Sequence, residues 1–155
     1  MAVGGWQPVG YYKDPEKTAA TFITFEGKRY SCPGDWAQVE ADGSLTLLGR
    51  GSVCINTGGE KVFPEEVEEA LKTHPAIHDA VAVGIPDDRF GQAVTAVVEP
   101  EAGAAIDEAD VIGHVKAKLA HYKAPKRIFV VDDLERAANG KVDYKRWTEH
   151  AASST

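Results

Sequence analysis

From Val53 onward the sequence predicts an α+β fold, a layer of helices on a small sheet, and three observations carry that expectation. A segment opened by Phe63-Pro64 repeats Val67, Ala70, Leu71 and His74 at helical spacing, so one of its faces is buried. Two apolar runs of strand length follow, Asp79 to Ile85 and Ala93 to Val98. A further segment, capped by Asp107, places Val111, Ile112, Val115 and Leu119 on one helical stripe. The expected order is β-α-β-β-α-β-α.

Taken in order, the first twelve residues mix glycines, a proline and aromatics without periodicity and read as loop. Asp14 as N-cap and Pro15 at the first helical position start a short helix that runs to about Phe22. Phe25 to Tyr30 contains a Glu26-Gly27 turn. Trp36 to Glu40 and Ser44 to Leu48 read as a hairpin around Ala41-Asp42-Gly43, with a boundary near Gly49 to Ser52. Gly58-Gly59 is expected to turn the chain, because a backbone without Cβ takes positive φ and lets another group approach closely. Pro64 then begins a helix to Lys72, with Glu65 and Glu66 at the positive end of its dipole. The stretch Pro86 to Gln92 parts the two apolar strands, and the helix capped by Asp107 keeps Asp110, Lys116 and Lys118 on its wet side and stops before Pro125. Lys126 to Val131 is a strand, Asn139-Gly140 a turn, and Tyr144 to Ala151 a last helical turn or two. Residues 149–155 are expected to form a disordered tail.

A chain of 155 residues can bury roughly 70% of its unfolded surface, enough for a real core without a staple. The net charge of -7 weighs against nucleic acid or an anionic membrane as partner. Cys32 and Cys54 show no C-x-x-C spacing, which suits structural thiols in a reducing compartment. No apolar run approaches the length of a membrane span and no basic-then-apolar leader opens the chain, so a cytoplasmic location is expected. His74 and His78 lie four apart with Pro75 between them and no H-E-x-x-H pattern, so no metal ligand is assigned.

Several stretches together carry a resemblance that covers nearly the whole chain: GYYKDPEKTAATF, PGDWAQVEADGSLTLLGR, GGEKVFPEEVEEAL and NGKVDYKRW, in that order. They resemble motifs of the adenylate-forming acyl-CoA synthetase superfamily, which contains acyl-CoA ligases, peptide-synthetase adenylation domains and luciferases. The resemblance implies a small mixed sheet flanked by helices, preceded by a hairpin segment from the end of a large N-terminal domain. On that reading residues 1–49 are the incomplete end of the large domain and 50–148 a mobile lid. The phosphate loop and acyl pocket of the large domain are not among these residues.

The family's reaction has two halves: a carboxylate attacks the α-phosphate of ATP to give acyl-AMP, and the thiol of CoA then displaces AMP. Lys141 matches the adenylation lysine, a compact cation able to bridge carboxylate and α-phosphate. By spacing alone it also reads as a solvated lysine after an Asn-Gly turn. Asp35 and Arg50 match the residues that hold the ribose of ATP, an acceptor-only carboxylate and a fixed fork of donors. Ser52 falls at the hinge, where aspartate or lysine is more usual. Gly58, Gly59 and Glu60 would line the pantetheine tunnel of CoA. Tyr122 would stack on adenine, with Lys123 and Lys126 toward the 3′-phosphate, although a basic helix end beside Pro125 reads the same way. Glu135 stands where proline is frequent, a change expected to alter loop stiffness only. Mg²⁺ would arrive with ATP, bound through the phosphates and the large domain.

The resemblance therefore implies the C-terminal part of an ATP-dependent ligase of the fatty-acid class, inactive as an isolated chain, with a separate N-terminal domain among its expected partners. Two alternatives stay open on sequence: a non-catalytic lid that binds CoA or a partner, and a peptide-synthetase-type adenylation fragment.

Overall fold

Asp14 caps the first helix, α1 (Pro15–Thr21), by accepting the N–H of Lys17 at 2.9 Å. The computed structural model describes residues 1–154, the side chains of Arg50 and Ser52 excepted. It divides into two units, Met1–Ser52 and the chain from Val53 onward.

In the first unit, β1 (Phe22–Phe25) and β2 (Lys28–Ser31) pair antiparallel, turned by Glu26 and Gly27, both at positive φ as a tight hairpin requires. A second antiparallel pair, β3 (Asp35–Val39) and β4 (Leu45–Arg50), sets Asp35 opposite Arg50, with a register irregularity between Trp36 and Ala37. No described residue of this unit is buried.

The second unit contains β5 (Ile55–Thr57), β6 (Glu60–Val62), α2 (Pro64–Lys72), β7 (Ile77–Asp87), β8 (Gly91–Pro100), α3 (Glu108–Lys118), β9 (Arg127–Val130) and α4 (Tyr144–Ser153). The sheet is mixed: β6, β5, β8 and β7 are antiparallel neighbours in that order, and β9 lies parallel to β8. Alternation along β7 and β8 sends side chains into two cores. Ala80, Ala82, Val94, Ala96 and Val98 meet Val67 and Leu71 of α2 and Val111 and Val115 of α3. Val81, Val83, Ile85, Ala93 and Val97 meet Leu134 and Trp147 and Ala151 of α4. The two runs are apolar on both faces, apart from Asp79 and the buried Thr95, because both faces of the sheet are covered.

Three expectations need correcting. The short strand before α2 is a hairpin of two three-residue strands, β5 and β6, so the order gains an element. β7 and β8 extend to a tight connection in which Asp87 pairs with Gly91, leaving little of the expected loop. Residues 149–153, expected in a disordered tail, continue α4 as helix, because Ala151 packs into the second core beside Trp147.

Candidate functional site

Lys141 stands in the loop between β9 and α4. Its backbone is bound in place: Lys141 N–H donates to Asn139 Oδ1 at 3.1 Å, Lys141 C=O accepts from Ala137 at 2.9 Å, and Gly140 N–H closes on Ala137 C=O at 2.8 Å. Its side chain is exposed, and the ammonium has no hydrogen-bond or ion-pair partner among the described residues. A fixed backbone with an unengaged cation at its tip can present positive charge to an anion outside the unit.

The start of this loop is equally determined. Leu134 is buried, its N–H held by Glu99 at 3.1 Å and its C=O by the Trp147 indole at 3.2 Å. Glu135 follows at φ 48°, donates its N–H to Asp133, and pairs through its carboxylate with Arg146. Proline, with φ fixed near −65° and no N–H, fits neither feature, so the substitution goes beyond stiffness.

Among the residues matched to CoA binding, three converge. Gly58 and Gly59, at φ 60° and 88°, form the β5–β6 turn, and Gly58 donates its N–H to Phe90 C=O at 2.8 Å. A Cβ on Gly58 would sit 3.3 Å from the Phe90 ring, so the glycine admits that contact. The Lys126 ammonium lies 3.1 Å from the centroid of the same ring, a cation–π contact. Glu60 opens β6 beside this turn and is exposed. Lys123 is engaged elsewhere: its ammonium meets Glu66 of α2 at 2.5 Å, both side chains about four-fifths covered. Glu66 also accepts the Phe63 N–H at 3.2 Å, completing the start of α2. Tyr122 is 44% exposed, with the Lys123 ammonium 5.9 Å from its ring.

In the first unit, Asp35 opens β3 directly after Gly34, whose φ is 93°, and its C=O accepts from the Met1 ammonium at 2.7 Å. The backbone of Arg50 faces it across the ladder. The side chains of Arg50 and of Ser52, the expected ribose ligand and hinge, lie outside the described residues. Among the described residues no group of three or more His, Cys, Asp or Glu side chains could hold a metal ion, and no helix is long and apolar enough to cross a membrane.

Residues 66–141 match the model of the AMP-binding enzyme C-terminal domain. Over 149 residues the chain is 55% identical to a medium/long-chain-fatty-acid and 3-oxocholest-4-en-26-oate CoA ligase of Mycolicibacterium smegmatis, covering 96% of this chain and 27% of that protein. The chain belongs to the adenylate-forming acyl-CoA ligases. It corresponds to their C-terminal region, and it spans only about a quarter of the curated relatives it matches, 25% of the 3-oxocholest-4-en-26-oate CoA ligase of Rhodococcus rhodochrous, to which it is 54% identical over 92% of its own length. Among solved structures, o-succinylbenzoate CoA synthetase of Bacillus subtilis in complex with its acyl-adenylate intermediate matches with TM-score 0.81 at 29% identity, over 90% of this chain and 28% of that one. Apo MatB of Rhodopseudomonas palustris matches with TM-score 0.72 at 36% identity, over 94% and 28%.

This ligase C-terminal region also holds residues near the candidate site that sequence reasoning passed over. Phe90, the platform under Lys126, sat in a segment read as loop, and no spacing connects it to Gly58. Glu68, Asp79, Arg136 and Tyr144 form a polar cluster beside the Lys141 loop. Burial raises the pKa of Glu68, against the Ala82 N–H and the Tyr144 hydroxyl, which lower it. Burial, then the charge and hydrogen bond of Glu68, push the Tyr144 phenol well above its ordinary value. Burial would raise Asp79, but its hydrogen bonds to Arg136 and Ala80 outweigh that and hold it below the usual carboxylate range. The one legible signal was Glu68, a carboxylate next to Val67 on the helix.

Proposed function

We propose that this chain is the C-terminal part of an ATP-dependent, AMP-forming acyl-CoA ligase of the fatty-acid class, working in the cytoplasm. The observation that supports this best is the unengaged ammonium of Lys141 on a loop whose backbone is hydrogen-bonded at Ala137, Gly140 and Lys141 itself. In the adenylation half, negative charge gathers between the substrate carboxylate and the α-phosphate of ATP, and Lys141 supplies the positive charge there while Asp35 and Arg50 hold the ribose. Rotation at Ser52 would then exchange the face presented to the active site. In the thioester half, the Gly58-Gly59-Glu60 turn gives bare backbone to the pantetheine chain of CoA. Lys126, braced on Phe90, and Tyr122 face the nucleotide end; Lys123 contributes only by releasing Glu66. Mg²⁺ enters with ATP and is held by its phosphates and the large domain.

A reading as a lid that docks on a separate large domain has one observation of its own: Trp6, Val9, Tyr12, Phe25 and Leu47 are all more than 60% exposed, an apolar surface that fits a protein partner. The two readings differ in one assay. The purified chain, given ATP, CoA and a medium- or long-chain fatty acid, is expected to form no acyl-CoA. Joined to the N-terminal three-quarters of the Mycolicibacterium smegmatis relative, it is expected to form acyl-CoA. A joined protein that folds, binds CoA and makes no acyl-adenylate would favour the non-catalytic lid.

A further inference from the structure

β7 is the outer strand of its sheet, so one side of it offers N–H and C=O groups to no other strand. Side chains from two other elements take them. Glu68 of α2 accepts the Ala82 N–H at 3.1 Å, and Arg136 donates to the Ala80 C=O at 3.4 Å. Both contacts lead to the loop that carries Lys141. Arg136, five residues before the lysine, forks onto Asp79 of the same strand at 2.5 and 2.9 Å and gives a further N–H to the C=O of Gly140 at 3.1 Å. Tyr144, three residues after the lysine, donates its hydroxyl to the two oxygens of Glu68 at 2.9 and 3.2 Å.

We propose that Arg136 and Tyr144 are positioning residues for Lys141, which fasten both ends of its loop to the edge of β7 and thereby aim the ammonium. The catalytic half of this proposal rests on the reading of Lys141 as the adenylation cation. Blunting a strand edge needs no such arrangement, since a lone lysine, a proline or a bulge suffices. Here the edge is covered by a bidentate arginine fork and by a carboxylate only 5% exposed, and a buried carboxylate is retained only where it is well bonded. Every one of these bonds reaches the segment between Arg136 and Tyr144 or the strand that anchors it. Aim matters because displacement of a reacting group by about 1 Å can cost roughly a hundredfold in rate.

The test compares the chain with Arg136→Met, Arg136→Lys and Tyr144→Phe. In the isotope-labelled 155-residue protein, Arg136→Met is expected to speed amide exchange in residues 137–143 by about tenfold or more while Val94 to Val98 of β8 keep their protection, as for a local opening. Tyr144→Phe is expected to do the same for the residues nearest α4, and Arg136→Lys to restore part of the protection. In the joined ligase, Arg136→Met is expected to lower kcat for acyl-adenylate formation by roughly 10- to 100-fold. KM for ATP and the thioester step from supplied acyl-AMP are expected to stay as they were. Unchanged exchange in 137–143, or an equal loss of protection in β8, overturns the anchoring. Faster exchange in 137–143 with kcat untouched overturns the aiming. If Lys141→Ala itself leaves adenylation unaffected, the reading of the lysine fails, and exchange still decides whether the edge of β7 holds the loop.

Discussion

The two units of this chain are held together by different physics. Among the described residues, every buried apolar side chain lies between Ile55 and Ala151, in the unit built on one five-stranded sheet. Before Val53 there are helix caps, two hairpins and the grip of Arg29 on the C=O groups of Pro8 and Val9, but no buried side chain among the described residues. Local hydrogen bonds contribute little net free energy each, and two-stranded ribbons are marginal by themselves. The second unit thus has a core of its own, whereas the first is a set of locally bonded elements whose large apolar side chains, among them Trp6, Val9 and Tyr12, lie exposed.

Cutting the chain at Ser52 is expected to have the largest effect. Residues 53–155 alone are expected to unfold cooperatively near the temperature of the whole chain. Residues 1–52 alone are expected to show no cooperative transition, and a sigmoidal melt of that piece would sink the contrast. Next in size, Leu71→Ala, in the first core, is expected to cost about 2–5 kcal/mol in urea unfolding, and Leu47→Ala, 64% exposed, less than about 0.5 kcal/mol. Within the second unit, Gly84→Ala is expected to cost about 1–3 kcal/mol, because its Cβ would stand 2.9 Å from Ile55 Cγ2 and 3.1 Å from the Gln92 side chain. Gly113→Ala in α3 meets nothing within 4 Å and is expected to stabilise by about 0.5–1 kcal/mol.

The smallest effects concern pH. Glu68 has a folded pKa raised by burial, so its contribution is present below the ordinary glutamate value and is lost as pH rises through the raised one. Asp79 is lowered, so its contribution is present above the ordinary aspartate value and is lost as pH falls through the depressed one. Unfolding followed against pH is expected to lose the first slope in Glu68→Gln and the second in Asp79→Asn. Slopes identical to wild type in both variants would remove the edge of β7 as a titrating element.

What could be read in advance follows the same division. The helix from Pro64 to Lys72 and the strands Asp79 to Ile85 and Ala93 to Val98 were legible because their periodicity reports burial, and burial is what stabilises the second unit. The β5–β6 hairpin was not, since strands of three residues such as Ile-Asn-Thr and Glu-Lys-Val show no repeat. Pro86 made the end of β7 look like loop; it is tolerated there because β7 is an outer strand. Lys141, Asp35 and Arg50 were marked by motif alone, with nothing in composition to single them out. The cluster beside the Lys141 loop was hidden by distance in sequence: Tyr144 and Glu68 are 76 residues apart, and only the fold brings them together.

Lys141 is proposed to act on the adenylation half of the reaction and to contribute nothing to the fold. The most direct measurement is the rate of acyl-adenylate formation by the joined ligase with Lys141→Ala, beside its melting temperature and its thioester step from supplied acyl-AMP. A loss of roughly a hundredfold or more in adenylation, with the other two unchanged, is the expected result for removing a positioned cation. Adenylation at the wild-type rate, or an equal loss in both half-reactions, would contradict it.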